Sequence, residues 1–390
     1  MRNSIKRHKL LIVSHSSEKS GAPKVLLDVA DSLSPDKYDL TLCFPAEGGI
    51  ATDAARKCYR IKIIPNPQMG FAETASLSAR FKLFLSRLCF MFRLRREVKK
   101  GKYDLVYLNS TLSFYAGAAL PGVGMKCIWH IHENLSRNLG NKIRRAIITH
   151  LSDFIIFASP TNVEFFKSSL KKTPWNVIPN GVRLLEEHQI AHDLDFPQRF
   201  DYKPGDRIVA TVSFLYYIKG IDIFLMAMQR VVREFPDVKA VIVGDRSQGE
   251  KGYIQRLDNL ADSPELRGHV HFAGYCSNLP SFFRNVEIFV QPSRTESMPL
   301  TVLEAMAAGR AIVATDVGCL RQMLDAPEAG VVVPPESPEA IAEALLTLLH
   351  NPEKRECLGT AAQERARREY SMEIFQKRIN DVVDGILKGR

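Results

Sequence analysis

Two carboxylates, Glu296 and Glu304, frame a short predicted helix in the stretch Pro292–Gly318, PSRTESMPLTVLEAMAAGRAIVATDVG. A helix start presents unpaired backbone N–H groups and the positive end of aligned peptide dipoles, a setting that suits a diphosphate. A carboxylate just outside the first turn can hydrogen-bond sugar hydroxyls, and one further along, facing the same pocket, can take a ribose diol. The spacing is equally accounted for by Glu296 helping to cap the helix and Glu304 standing as a solvated charge, since acids are favoured near helix starts.

The elements that must position these groups are local. Ser297 is the expected N-cap, with Pro299 in the first turn, where its missing N–H costs nothing. Leu300, Leu303, Met306 and Ala307 supply an apolar face, and Gly309 sits where a left-handed C-cap residue belongs. Ala311–Thr315 reads as a buried strand.

The wording P-S-x-x-E-S-M-P-L-x-x-L-E-A-M-A-A-G-x-x-I-V-A-T-D-V-G closely resembles the nucleotide-recognition segment of the family 4 glycosyltransferases, which have the GT-B fold. Their E-x7-E motif maps onto Glu296 and Glu304. The resemblance is strong over Arg207–Tyr370 and loose over Met1–Gly181. It implies two Rossmann-like α/β domains facing across a cleft: residues 1–182 on the acceptor side and 207–370 holding a nucleotide sugar. Residues 183–206, polar and aperiodic, are the expected linker, and a helix within 371–390 is expected to cross back to the first domain. The family retains anomeric configuration and needs no metal, so no cofactor is expected.

Composition agrees with this class. A chain of 390 residues is about two domains' worth. No apolar run approaches the roughly 20 residues that cross a bilayer: Leu83–Phe92 is broken by Arg87, and Ile147–Phe157 by His150 and Asp153. Leu10–Val13 is too short for a signal peptide and reads as a first strand. Seven scattered cysteines without a C-x-x-C predict reduced thiols and a cytoplasmic location. The net charge of +10 points to an anionic partner. The expected partners are a nucleotide sugar, a glycan or lipid-linked acceptor and an anionic membrane surface, with no nucleic acid.

Strand-like runs alternate with helical ones, the pattern of parallel α/β layers. Lys9–Val13, Asp39–Phe44, Asp104–Leu108, Lys126–Ile131 and Asp153–Ala158 are the expected strands of the first sheet. Gly21 lies between the first strand and a helix start, where backbone approaches a ligand closely, although a tight turn explains it equally well. In the resembled family a glycine-rich turn here faces the donor phosphate. His130 and His132 fall on one face of a strand that ends at a ligand-binding edge. The family places a functional histidine there, and His132 matches better. A metal site from His130, His132 and Glu133 is disfavoured, because adjacent strand positions diverge.

In the second domain Lys219 precedes a helix start, where it can neutralise a diphosphate or stand as a solvated lysine. The family's usual loop carries an arginine five residues earlier, and here that position is Phe214. The family's base-contacting turn aligns with Gly274-Tyr275. Backbone N–H groups near Ser297, Met298, Pro299 and Leu300 complete the expected donor site. Asp193-Leu194-Asp195 is a D-x-D in the wrong context for a metal.

Phe81, Leu85, Leu88 and Phe92 repeat at i, i+4, i+7 and i+11, a stripe expected to face the core. That leaves Leu83, Phe84, Phe90, Met91 and Leu94 opposite, among Arg80, Arg87, Arg93, Arg95 and Arg96. Such a mixed face suits an interfacial helix on anionic lipid at the inner face of the cell membrane, or burial against a neighbouring loop or subunit.

The reading is a retaining glycosyltransferase. Glu296 and His132 would act on the sugar, and Lys219, Gly21, Gly274, Ser297–Leu300 and Glu304 would hold the donor. The alternatives are a nucleotide-sugar epimerase of the same fold and a degenerate, non-catalytic partner subunit, for which Phe214 is the main support.

Overall fold

The computed structural model describes residues 7–66, 76–135, 138–170, 172–184, 205–325 and 328–389. The chain forms two compact units, Met1–Asn180 with Glu373–Arg390, and Gly181–Met372. Residues 185–204 of the expected linker, with Asp193-Leu194-Asp195, lie outside the described residues.

The first unit is built on seven strands: β1 (His8–Val13), β2 (Tyr38–Phe44), β3 (Arg60–Ile63), β4 (Leu105–Asn109), β5 (Lys126–Ile131), β6 (Phe154–Phe157) and β7 (Trp175–Val177). They pair in parallel in the order β3-β2-β1-β4-β5-β6-β7. The strand period of two explains the layering. Leu11, Val13, Val106, Leu108 and Trp129 enter one core, while their neighbours Leu10, Ile12, Tyr107 and His130 are buried on the other face. The helices α1 (Gly21–Ser32), α2 (Gly49–Arg56) and α3 (Leu77–Gly101) fall among these strands. β3 and β7 are edge strands too short to carry a readable period.

The second unit has six parallel strands in the order β10-β9-β8-β11-β12-β13: β8 (Arg207–Val212), β9 (Val238–Val243), β10 (Val270–Gly274), β11 (Ile288–Gln291), β12 (Ala311–Thr315) and β13 (Val331–Val333). Val209, Ile288 and Val313 share one core with the helices Ile221–Glu234 and Pro338–His350. Ala210, Phe289 and Ile312 share the other with Leu300–Ala307. The last helix, Met372–Leu387, joins the first unit almost entirely. Its Asn380 Nδ2 donates to the Ser32 carbonyl at 2.7 Å, and the Tyr38 hydroxyl donates to Asp384.

α3 reverses the expected orientation. Phe81, Leu85, Leu88 and Phe92 are 61, 48, 45 and 69% exposed, whereas Phe90, Leu94 and Val98 are buried in the core. The helix carries two apolar stripes, and its connection decides between them. Only Lys102–Asp104 separate α3 from β4, so its last turns are the ones held on the sheet. Phe90, Leu94 and Val98 recur there every four residues, while the rival stripe has most of its members further back.

Both tryptophans belong to the first unit, so their fluorescence reports its unfolding. Phe90→Ala should lower its stability in urea by about 3–5 kcal/mol, and Phe92→Ala should change it by no more than about 0.5 kcal/mol. Equal losses would restore the expected orientation.

Candidate functional site

β11 ends at Gln291, and the loop Pro292–Glu296 leads to the helix Leu300–Ala307. Ser297 is not its N-cap. Pro299 takes that position at φ −72° and ψ 125°, and the Ser297 carbonyl accepts from the Cys319 N–H at 3.2 Å. The proline ring suits this extended residue, and the helix begins on its far side. Pro299 has no side-chain group with which to cap the first turn. Gly309, at φ +66°, follows the C-cap residue Ala308 as expected.

Glu296 is buried, and its Oε1 gathers three donors: Lys219 Nζ at 2.7 Å, Ser293 Oγ at 2.8 Å and Gln291 Nε2 at 3.0 Å. A carboxylate so enclosed is tolerated only when paired and hydrogen-bonded, and Lys219 supplies the charge. Two glycines permit the close approach of the loops. A Cβ on Gly220 (φ +67°) would lie 1.9 Å from the Pro292 carbonyl oxygen, and one on Gly318 (φ +61°) would lie 2.3 Å from that of Glu296.

Behind Lys219 sits a second charged group that the sequence did not reveal. Asp222, fully buried in the first turn of Ile221–Glu234, receives both arms of Arg294 at 2.8 and 2.9 Å. Arg256 approaches it at 2.9 Å, and the Tyr253 hydroxyl donates to it at 2.7 Å. Arg294 also donates to the Tyr217 carbonyl at 2.7 Å and lies over the Tyr217 ring at 3.8 Å. It thereby fastens the turn that carries Lys219. Burial raises the Asp222 pKa, but the bonds from Arg294 and Tyr253 and the charges of Arg294 and Arg256 prevail and lower it.

In the first unit, His132 follows the end of β5, and its Nε2 lies 2.8 Å from Asn109 Oδ1 at the end of β4. Asn109 Nδ2 donates to the Ala22 carbonyl in α1 at 2.8 Å. The rings of His130 and His132 lie 4.0 Å apart, and His130 Nδ1 meets the Tyr107 hydroxyl at 2.8 Å. Glu133 accepts from the Thr111 N–H and hydroxyl, each at 3.0 Å. Burial lowers the pKa of His15, His130 and His132, so these rings are neutral at pH 7. Burial alone would raise that of Glu133, but His132, His15 and the bonds from Ser110 and Thr111 lower it. Gly21 opens α1, and a Cβ there would meet nothing within 4 Å. Asn109 and His15 escaped notice because nothing in their own segments marks them.

Of the expected donor residues, Lys219 and Glu296 are in direct contact. Met298 is packed in the apolar core beside Leu300, so its side chain is not turned to a ligand. Glu304 is half-buried in the middle of its helix, and Gly274 closes β10 at φ +66° before the exposed Tyr275. Phe214 stacks on Tyr216 at 5.7 Å. Among the basic residues of α3, Arg80, Arg93 and Arg96 are exposed. Arg95 is turned to the Ala119 and Pro121 carbonyls at 2.9 and 2.7 Å, and Arg87 lies over the Tyr115 ring. Among the described residues no cluster of three His, Cys, Asp or Glu could hold a metal, and no helix is long and apolar enough to cross a membrane.

Comparison with known proteins assigns both units. The "Glycosyl transferases group 1" model matches residues 195–365, and the "Glycosyltransferase Family 4" model matches residues 19–184. A phosphatidyl-myo-inositol mannosyltransferase of Mycobacterium tuberculosis is 33% identical over 326 residues, 77% of this chain and 80% of its own. The chain is a family 4 glycosyltransferase. This family 4 enzyme is also 24% identical over 344 residues to an uncharacterized glycosyltransferase of Haemophilus influenzae, covering 85% of this chain and 88% of that one. The structure of Anabaena HepE with UDP and glucose matches its fold with a TM-score of 0.82 at 19% identity, over 97% of this chain and all of the other. The GT-B fold of the family 4 glycosyltransferases is therefore the fold of this chain.

Two stability measurements check the charge assignments. Asp222→Asn leaves Arg294 with only the exposed Glu336 carboxylate as a counter-charge and should cost about 3 kcal/mol in denaturant. The buried histidines have native pKa values below their ordinary 6.5. The unfolded chain therefore takes up protons first, and stability should fall as the pH drops from about 7 to 5. Asp222 adds a further loss below about pH 4, where its unfolded form protonates while the native form resists. A melting temperature flat from pH 7 to 5 would contradict the neutral assignment of the histidines.

Proposed function

We propose that this glycosyltransferase moves a hexosyl or N-acetylhexosaminyl group, with retention, from a nucleotide-diphosphate sugar to a hydroxyl of a glycan or lipid-linked acceptor. The observation that carries this reading is the Lys219–Glu296 contact of 2.7 Å in the loop that leads to the helix Leu300–Ala307. An ammonium and a set of helix N–H groups suit a leaving diphosphate, and a carboxylate beside them suits sugar hydroxyls. The anomeric bond to the diphosphate breaks, a bond to the acceptor oxygen forms on the same face, and the acceptor's proton passes to the leaving diphosphate.

In this reading Lys219 and the first turn of Leu300–Ala307 stabilise the diphosphate, so no metal is required. Glu296 orients the sugar, Glu304 takes the ribose, and the backbone of Gly274 meets the base. Neutral His132 accepts a sugar hydroxyl, and Gly21 lets the backbone of α1 come close to the ligand. The UDP and glucose held by HepE support a nucleotide-sugar donor. The phosphatidylinositol in the name of the mycobacterial relative supports a lipid-linked acceptor, and the reading places the enzyme peripherally at the inner face of the cell membrane.

Glu304→Gln should weaken nucleotide-sugar binding by roughly 1.5–3 kcal/mol in calorimetry, with the melting temperature unchanged. Unaltered affinity would remove Glu304 from the site. Phe214 occupies the place of a clamp arginine, so Phe214→Arg should tighten donor binding roughly tenfold, the worth of one charged hydrogen bond. A mutant that binds no donor better and turns none over would favour a degenerate partner subunit. Release of sugar from a panel of nucleotide sugars tests the reaction itself, and release from none of them would overturn it.

A further inference from the structure

α3 leaves in solvent what the rest of the chain buries. Phe81, Phe84, Leu85, Leu88 and Phe92 are five of the twelve large apolar residues exposed among those described, and they fall within twelve consecutive positions. At 3.6 residues per turn, Phe81, Leu85, Leu88 and Phe92 lie within an arc of about 60°, with Phe84 at its margin, along about 17 Å of helix. A stripe of this size is unusual on a soluble surface.

Its surroundings carry one sign. Arg80, Lys82, Arg93, Arg96, Lys99 and Lys100 are exposed on the same helix. Glu97, the helix's one acid, pairs with Lys62 at 3.4 Å. A second copy of the chain docked stripe to stripe about a two-fold axis would bring like-charged rims together. An anionic bilayer satisfies both features, taking the rings into its interface while its phosphates meet the rim.

We propose that the Phe81–Phe92 face of α3 is a docking surface for an anionic lipid bilayer. The partner is the lipid surface itself, and the residues differ from those the sequence indicated. Phe90 and Leu94 are spent in the core, and Arg87 and Arg95 are turned to the protein. The proposal rests on the glycosyl-transfer reading only for its purpose, which is to hold the enzyme where a lipid-linked acceptor is presented.

The test is co-sedimentation of the full chain with phosphatidylglycerol–phosphatidylcholine vesicles and with pure phosphatidylcholine vesicles. The wild type should pellet with the anionic vesicles at low salt and be released by high salt. A Phe81→Ser/Phe84→Ser/Leu88→Ser/Phe92→Ser variant should lose roughly tenfold or more of this binding. An Arg93→Ser/Arg96→Ser/Lys99→Ser/Lys100→Ser variant should lose the preference for anionic vesicles. Wild-type protein that stays in the supernatant, pellets equally on neutral vesicles, or binds no better than the apolar variant overturns the proposal. So does a wild-type dimer in light scattering that the apolar variant makes monomeric. Sugar release from the donor without vesicles should be equal in all three proteins. Its absence in the wild type would count against the transfer reading and leave the vesicle result standing.

Discussion

Asp222 has no exposure at all, and much of the second unit's site is arranged to make that tolerable. A carboxylate removed from water costs several kcal/mol unless a counter-charge and hydrogen bonds replace the solvent. Arg294 provides both with its planar fork, which fits two carboxylate oxygens at once. Because Arg294 belongs to the loop after β11 and Asp222 to the helix after Lys219, their union holds those segments at one separation. Lys219 and Glu296 meet as a consequence. The missing Cβ atoms of Gly220 and Gly318 then let the backbones approach more closely than any side chain would permit.

The two units differ in the chemistry of their candidate residues. The second presents charge: an ammonium, a carboxylate and the start of a helix. The first presents imidazoles kept neutral by burial, beside a Glu133 whose carboxylate is held by hydrogen bonds from Thr111. Charge suits phosphate, whose own charge is large and non-directional. Neutral rings suit hydroxyls, where direction matters more than attraction.

The motif around Glu296 was legible because it is local. Glu296, Pro299, Gly309 and the strand Ala311–Thr315 follow one another closely, and each has a type fitted to its place. The partners of Glu296 were less legible, since Lys219 lies 77 positions away and only β-sheet pairing brings it near. Arg294 is one of the unspecified positions of the motif, and nothing in its own segment marks Asp222. α3 shows a different limit. Its periodicity announces two apolar stripes but not which of them is covered, because that depends on the short connection into β4. Parallel alternation, by contrast, follows from the spacing of apolar runs and helices, which any βαβ chain displays, whereas the order of the strands in each sheet does not.

Asn109 touches His132 from a neighbouring strand, and its amide settles a matter of hydrogen bookkeeping. Its N–H₂ group is committed to the Ala22 carbonyl, so its oxygen is the atom left for the ring. An oxygen can only accept, and the hydrogen of the neutral imidazole must therefore sit on Nε2. Nδ1 is left as a bare lone pair. The direction in which a hydroxyl must point to be held there is thus written into a carboxamide that need not touch it, and into the first turn of α1 that keeps the carboxamide from turning over.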